Sequence, residues 1–326
     1  MAMKAICGVV AVLSALLAAG NATAQSNYPT KTMRILVGFA AAGPADMIAR
    51  LVGDKLSEAF GQSVVIENVS GAAGNIAGDR VAKAAPDGYT LLMASNAQVT
   101  VNPSLYDKMP YDPGKDLAPI SQAVFTPNIL VLHNDVPAKN VQELVAFVRS
   151  HPGKLSFGSA GVGTSQHLAG ELFKAMAGLD IQHVPYRGAA PVITDLLGGR
   201  IDMFFGNIAP LLPLIREGKL RALAVTALKR VAAIPDLPTM AESGFPGFDA
   251  TASFGLMAPA GTSATIIEKL HRETVRIAAL ADIRKRLDDL GMEVIANTPA
   301  EFSDVIRSET RQWAKVIKEA GIKASE

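Results

Sequence analysis

The strongest constraint on this chain is a repeated alternation of short apolar runs with amphipathic stretches of helical period. Met33 to Phe39 (MRILVGF) reads as a strand. Asp46 to Phe60 places Ile48, Leu51, Val52, Leu56 and Phe60 near helical spacing, and Gly61 is positioned to stop that helix. Val64 to Glu67 follows as a strand, Asn75 to Ala84 as a short helix ended before Pro86, and Tyr89 to Ala94 as a third strand. Parallel neighbours need a crossover long enough to be a helix, so this rhythm commits the chain to an α/β fold with largely parallel sheets.

A second series begins near Asn128. Its strands are Ile129–His133, Lys154–Gly158, Ile181–Pro185, Ile201–Phe205 and Ala222–Thr226. Its helices are Val141–Ser150, Thr164–Ala177, Ala190–Leu197 and Pro210–Glu217. From Pro235 to Phe248 the chain is rich in Pro and Gly and loses period, which reads as a connection. After it come a strand at Ser253–Met257, helices at Ser263–Ala279 and Ile283–Leu290, a last strand at Met292–Ala296 and a terminal helix at Pro299–Ala320. A chain of 326 residues exceeds what one core comfortably serves, so two domains are expected.

The N-terminus follows another logic. Lys4 precedes an apolar run from Ile6 to Leu17, and the small residues Ala22-Thr23-Ala24 follow. This is the pattern of a secretory leader, residues 1–24, cleaved after Ala24. The alternative is a retained anchor, but the run is shorter than the ~20 residues a spanning helix needs. Cys7 is the only cysteine, and it lies before the end of the apolar run, where a lipid-bearing cysteine would not sit. The exported chain therefore has none, which excludes disulfides, zinc–thiolate sites and a cysteine nucleophile. A large cysteine-free exported chain fits the bacterial periplasm. Loss of Lys4 with the leader leaves 30 basic against 30 acidic side chains, so no global field favours nucleic acid.

Several loops between a strand and a helix could carry chemistry. Phe39-Ala40-Ala41-Ala42-Gly43-Pro44-Ala45-Asp46 joins the first strand to the first helix. Its small residues let a ligand approach the backbone, and the helix start offers unpaired N–H groups to an anion. It reads equally as a tight turn with Asp46 as a first-turn acid. Gly71 to Asn75 has the same position but the composition of a plain turn. Gly158 to His167 repeats the strand–loop–helix logic in the second series, with Thr164 or Ser165 as cap or donor. Val184-Pro185-Tyr186-Arg187-Gly188 ends a strand: Tyr186 can pack and donate, and Arg187 can pair with a carboxylate. Either is also an ordinary surface residue. Asn207 closes Asp202–Asn207 as a cleft residue or a turn residue.

Catalysis and cofactors find little support. There is no Walker loop, no dinucleotide fingerprint and no G-x-S-x-G elbow. No pair among His133, His151, His167, His183 and His271 has H-x-x-x-H spacing, and no cofactor or metal is expected.

Taken together and in order, the motifs resemble the Bug family, the extracytoplasmic solute receptors of tripartite tricarboxylate transporters. They are Tyr28-Pro29, Ile35 to Phe39, Gly43 to Arg50, Val65 to Asn68, Gly74-Asn75-Ile76 and Ala85 to Leu92. Asn102 to Tyr106, Gly163-Thr164, His167 to Glu171, Val184 to Gly188 and Ala258 to Thr262 complete the set, so the likeness runs through the mature chain.

The resemblance implies a two-lobed periplasmic-binding-protein (Venus flytrap) fold of the α/β class, with the C-terminal segment returning to the first lobe. The lobes would be 27–125 with 250–326, and 126–249. It implies an organic acid held in part by backbone groups and water at the first loop: Phe39, Ala41, Ala42, Gly43, Pro44 and Asp46. Gly74, Asn75, Ser95 and Asn96 would stand beside it. The second lobe would add Ala160, Gly163, Thr164 and Gln166, with Tyr186 and Asn207 near the far end. Relatives often read Pro-Pro-Gly-Gly where this chain has Ala41-Ala42-Gly43-Pro44, which leaves the acid open among di- and tricarboxylates, aromatic acids and acidic amino acids. The expected partners are that acid and the membrane permease subunits, for a monomer that performs no catalysis. A sensory subunit and, further off, a secreted hydrolase are the competing readings.

Overall fold

The computed structural model describes residues 27–319 and 321–322; the expected leader lies outside them. Strands β1 (Met33–Val37), β2 (Val64–Asn68) and β3 (Thr90–Ser95) alternate with helices α1 (Pro44–Phe60) and α2 (Asn75–Ala82). Then come β4 (Leu117–Leu132), α3 (Val141–Ser150), β5 (Ser156–Ser159), α4 (Ser165–Ala177) and β6 (Gln182–Pro185). The series continues with α5 (Ala189–Leu197), β7 (Met203–Asn207), α6 (Ile208–Arg216) and β8 (Arg221–Val225). After the irregular connection follow β9 (Thr251–Pro259), α7 (Ala264–Ala278), α8 (Ala281–Asp289), β10 (Glu293–Val294) and α9 (Pro299–Glu319).

Local chemistry sets the element ends. Helix α1 starts with Pro44, whose missing N–H is not needed in a first turn. It stops at Gly61, φ +63°, whose N–H bonds the carbonyl of Ser57. Between these ends Ile48, Ala49, Val52 and Leu56 are buried in one core with Ile35, Val37, Leu91 and Met93 of β1 and β3. Thr164 caps α4 by accepting from the N–H of His167, and Ser263 caps α7 in the same way.

The sheet runs β2-β1-β3-β9-β4-β7-β5-β6, with β8 and β10 also paired to β4. β1, β2 and β3 are parallel to one another, as are β5, β6 and β7. β9 lies antiparallel between β3 and β4, so the C-terminal segment rejoins the first lobe. β4 serves both lobes: Leu117–Pro127 pair with β9, and Asn128–Leu132 pair with β7 and β8. The sequence pattern shows only the last part of this strand. Pro119, Pro127 and the polar Ser121, Gln122 and Thr126 interrupt the apolar run, and register shifts beside Pro119 and Gln122 absorb the irregularity.

A buried hydrogen-bond knot ties the two chain crossings between lobes. Asn128 and Thr226 exchange backbone and side-chain bonds at 2.9 Å, and both Thr226 Oγ1 and Asn128 Nδ2 donate to the carbonyl of Ala250 at 2.9 Å. Helix α9 spans the division. Phe302 and Ile306 are buried with Leu36, Val99 and Met257 of the first lobe, whereas Trp313 and Ile317 are buried with Leu130, Phe205 and Phe248. The sequence reading gives this helix to the first lobe; its two apolar pairs, separated by the turn that carries Glu309 and Thr310, anchor it to both cores. Among the described residues no helix is long and apolar enough to cross a membrane.

Candidate ligand-binding site

Strands β1, β3, β5, β6 and β7 deliver their carboxyl ends to one place, where a cavity of about 290 Å³ opens between the lobes. Ligands of open α/β sheets bind at this end of the strands because the loops there are free to vary and helices begin there.

The first wall is the loop after β1. Phe39, Ala41, Ala42, Gly43 and Pro44 line the cavity. Ala42 has φ +63°, a left-handed conformation that must be held from outside. Asp46 holds it: the N–H of Ala42 donates to Asp46 Oδ2 at 2.9 Å. The same carboxylate accepts from Arg50 at 2.9 and 3.0 Å and from Asn68 Nδ2 at 3.0 Å. Burial works to raise its pKa, but the bonds from Arg50, Ala42 and Asn68 outweigh that and keep it below the usual carboxylate range. Asp46 thus shapes the loop from behind and does not line the cavity.

Ser95 and Asn96 form the next wall with Ala97. Asn96 Nδ2 donates to the carbonyl of Thr251 at 3.0 Å, which ties this wall to the returning crossover. Gly74 and Asn75 lie behind it. A Cβ on Gly74 would come within 2.6 Å of Gln98, whose Nε2 donates to the Gly74 carbonyl at 2.8 Å. Asn75 accepts from Asn102 Nδ2 at 2.7 Å. These two residues pack within the first lobe and are not among those lining the cavity.

The second lobe supplies Ala160, Thr164, Ser165 and Gln166, and Asn207 at the end of β7. Gln166 Oε1 accepts from the N–H of Ala160 at 2.8 Å, and its Nε2 donates to Asn207 Oδ1 at 3.0 Å. Asn207 Nδ2 passes the pattern to Asn128 Oδ1 at 3.0 Å. Side-chain amides thereby connect the cavity to the interlobe knot. Gly163 turns instead toward the first lobe, where a Cβ would meet Asn102 Oδ1 at 2.7 Å. Tyr186 donates to Asp195 Oδ2 at 2.8 Å and stays off the cavity wall. Its pKa rises to about 12 through burial and the Asp195 carboxylate.

Beneath the loop Ser159–Gly163 lies a histidine stack. His167 and His183 have ring centroids 4.2 Å apart, and His183 lies 4.8 Å from the ring of Phe157. His167 Nδ1 accepts from the N–H of Gly163 at 3.2 Å, and His183 Nε2 is 2.7 Å from Ser159 Oγ. Burial lowers both, His167 to about 3 and His183 to about 4.

Other lining residues are not among those the motifs single out as the site. The start of α5, with Gly188, Ala189 and Ala190, contributes together with Arg187. Arg187 is recognisable in the Tyr-Arg-Gly motif; in the turn after β6 it lines the cavity, while Tyr186 is turned aside to Asp195. Phe254, Ile193, Met47 and Leu290 form apolar wall. Phe254 has no local signal; only the return of β9 brings it there.

The cavity's electrostatics follow from this inventory. Residues at the starts of α1, α4, α5 and α6 all line it. First-turn N–H groups have no partner within their helix, and each helix start carries a partial positive charge. Among the described residues no Asp or Glu lines the cavity, and Arg187 is its sole lining cation. The arrangement attracts an anion and offers an apolar middle.

A two-lobed α/β molecule with its cavity at the carboxyl ends of both sets of strands is a solute-binding receptor of the periplasmic-binding-protein type. Residues 48–322 match the family described as the tripartite tricarboxylate transporter family receptor, and the chain belongs to that family. It is 34% identical over 324 residues to Protein BugT of Bordetella pertussis (strain Tohama I), covering 99% of each chain. It is similar to the structure of R. palustris Rpa4515 with adipate, at a TM-score of 0.88 and 36% identity over 91% of this chain and 99% of that one. It is similar also to MatC (Rpa3494) from Rhodopseudomonas palustris with bound malate, at a TM-score of 0.84 and 34% identity over 89% of this chain and 100% of that one.

Proposed function

We propose that this chain is a periplasmic receptor for a short aliphatic dicarboxylate, which it captures by lobe closure and hands unchanged to the membrane subunits of a tripartite tricarboxylate-type transporter. The observation that carries this reading is the convergence of helix starts from both lobes on an acid-free cavity. One carboxylate lies against the backbone from Ala42 to Ala45, where no cationic side chain is available and water completes the contacts. The other lies toward Arg187 and the starts of α5 and α6. The methylene chain crosses Phe254 and Ile193. The adipate and malate held by Rpa4515 and MatC have this chemistry. The two moving bodies are the lobes expected from the sequence, except that the end of α9 from Trp313 packs with the second, and they turn about Asn128, Thr226 and Ala250. A receptor role also accounts for the missing nucleophile and metal motifs.

The test is thermal unfolding of the mature chain, residues 25–326, against malate, adipate, citrate and benzoate. A ligand at 100 times its Kd adds ~2.7 kcal/mol, enough to move Tm by several degrees. A rise with malate or adipate and not with benzoate is expected. A rise with benzoate alone would replace the dicarboxylate by an aromatic acid, and turnover of any bound acid would remove the receptor reading.

A further inference from the structure

The side-chain amides lining the cavity, Asn96, Gln166 and Asn207, are almost wholly buried, and backbone groups fix which way each one points. In the second lobe the N–H of Ala160 donates to Gln166 Oε1 at 2.8 Å, so the nitrogen of that amide faces Asn207. Gln166 Nε2 then donates to Asn207 Oδ1, Asn207 Nδ2 to Asn128 Oδ1, and Asn128 Nδ2 to the carbonyl of Ala250, at 3.0, 3.0 and 2.9 Å. The relay begins at a backbone N–H and ends at a backbone C=O, and neither can exchange roles. Turning any one amide over would set donor against donor on one side and oxygen against oxygen on the other. In the first lobe Asn96 Oδ1 accepts from the N–H of Ala97 at 3.1 Å, and its Nδ2 donates to the carbonyl of Thr251 at 3.0 Å. Each of these oxygens is thus turned to a protein donor, whereas each nitrogen has two hydrogens and spends one. What the locked amides have left for a ligand is N–H.

Other acceptors around the cavity are committed as well. Asp46 is held by Ala42, Arg50 and Asn68, Asp195 by Tyr186 and Arg200, and neither lines the cavity. The carbonyl of Phe39 accepts from Asn68, that of Gly43 from Met47, that of Ala160 from Gly188 and that of Gly161 from Thr164. The hydroxyls of Thr164 and Ser95 donate to Gly161 and to Gln98 Oε1, at 2.7 and 3.3 Å. Among the lining hydroxyls Ser165 differs: at the start of α4, and only 7% exposed, it has no partner among the described residues and opens on the cavity.

Building on the receptor reading above, we infer that the cavity admits carboxylic acids without an amino group and rejects the acidic amino acids, and that the locked amides of Asn96, Gln166 and Asn207 enforce the choice. The carboxylates of aspartate and malate are alike to the helix starts and Arg187. Their third groups are not. An ammonium has three donors and no acceptor. Here it meets amide N–H groups, the partial positive charges of the helix starts and the Arg187 cation, with no carboxylate among the lining residues to pair with. A hydroxyl in the same place can accept from a spare amide N–H and exchange a bond with Ser165. Malate therefore loses nothing that aspartate would lose, although the two have nearly the same shape.

Calorimetric titration of the mature chain with matched acids tests this: malate against aspartate, adipate against aminoadipate, and phenylpropanoate against phenylalanine. In each pair that binds, the amino acid should be weaker by about a hundredfold, the scale of an unfavourable like-charge contact. Ser165→Asp places a carboxylate at the start of α4, where a helix favours one, and should narrow the malate-to-aspartate ratio by about tenfold or more. Gln166→Glu keeps an acceptor for Ala160 and should narrow the ratio in the same direction. Aspartate binding wild type as tightly as malate, or a ratio that neither folded variant moves, would overturn the inference; if neither variant folds, the wild-type pairs decide it. The two readings fail separately. Equal binding within the malate and adipate pairs leaves the dicarboxylate receptor and removes the selection against amines. Phenylpropanoate binding alone, without phenylalanine, keeps the selection and removes the dicarboxylate. No response to any of these acids would overturn both.

Discussion

Gln166 and Asn207 hold one another in the second lobe: Gln166 Nε2 donates to Asn207 Oδ1 at 3.0 Å, and both residues are almost wholly buried. Each also uses its second amide atom, Gln166 toward the N–H of Ala160 and Asn207 toward Asn128. Replacing Gln166 by Ala strands the Ala160 N–H and Asn207 Oδ1 together. An orphaned buried polar group costs about 1–3 kcal/mol. Gln166→Ala should lower unfolding free energy by about 2 kcal/mol and weaken malate or adipate by about tenfold, as the lobe-two wall loses its register. Denaturant unfolding and calorimetry check the two effects. Unaltered affinity in a folded variant would separate this amide chain from the ligand.

Gly43 and Gly163 make a matched pair with opposite expectations. Gly43 has φ −81°, and a Cβ there would meet only the carbonyl of Ala40 at 3.4 Å, yet the residue faces the cavity. Gly43→Leu should fold with a stability change within about 0.5 kcal/mol and lose binding. Gly163 has φ +86°, and its Cβ would press on Asn102 Oδ1 and Leu105 Cδ2 at 2.7 and 2.9 Å. Gly163→Ala should destabilise by about 1–3 kcal/mol through backbone strain and interlobe crowding. Measuring Tm and ligand affinity for both variants checks the contrast. A Gly43→Leu protein that binds normally would move the first carboxylate elsewhere.

Those two glycines also show where sequence reasoning loses its footing. Glycine in a strand-to-helix loop looks the same whether backbone or ligand fills the space beside it. Gly74, against Gln98, and Gly163, against Asn102, are packing glycines that share their context with Gly43. Asp46 was ambiguous for a related reason, since a first-turn acid can face a cleft or, as here, reach back to Ala42. The βα units were legible because periodicity is local. The sixteen residues of β4 were not, because two prolines break the pattern and only pairing with β9 sustains the strand. Phe254 could not be placed in the cavity without knowing that β9 returns between β3 and β4.

The His167–His183 stack predicts a specific acid sensitivity. Burial depresses both, to about 3 and about 4, while the unfolded chain titrates them near the ordinary 6.5 of a free imidazole. Below pH 6.5 the unfolded state therefore binds protons that the folded state refuses. The stability from these groups is full above that pH and falls as pH drops toward 4 and then 3. His183→Phe keeps the stack on Phe157 and removes one of the two protons. Its stability should fall less steeply than wild type between about pH 6 and about pH 4, by on the order of 1 kcal/mol per pH unit. Chemical denaturation at a series of pH values measures the slopes; equal slopes would mean His183 does not contribute.

Arg187 sets the last expectation, because among the described residues it is the sole lining cation of the cavity. Asp195, one face further along α5, is occupied by Tyr186 and Arg200 at 2.8 and 2.7 Å and so leaves Arg187 available to a ligand. A charge-assisted bond from a guanidinium to a carboxylate contributes about 1.5–3 kcal/mol, or roughly ten- to a hundredfold in affinity. Arg187 is exposed, so the lower end of that range applies. Arg187→Ala should therefore weaken a dicarboxylate by about tenfold or more and leave a monocarboxylate of equal length nearly unchanged. Arg187→Lys should recover only part of the loss, since an ammonium cannot reproduce a two-pronged contact. Titrating adipate and hexanoate against all three proteins checks this. Equal weakening of both acids would place Arg187 at the first carboxylate, and no weakening of either would remove it from the site.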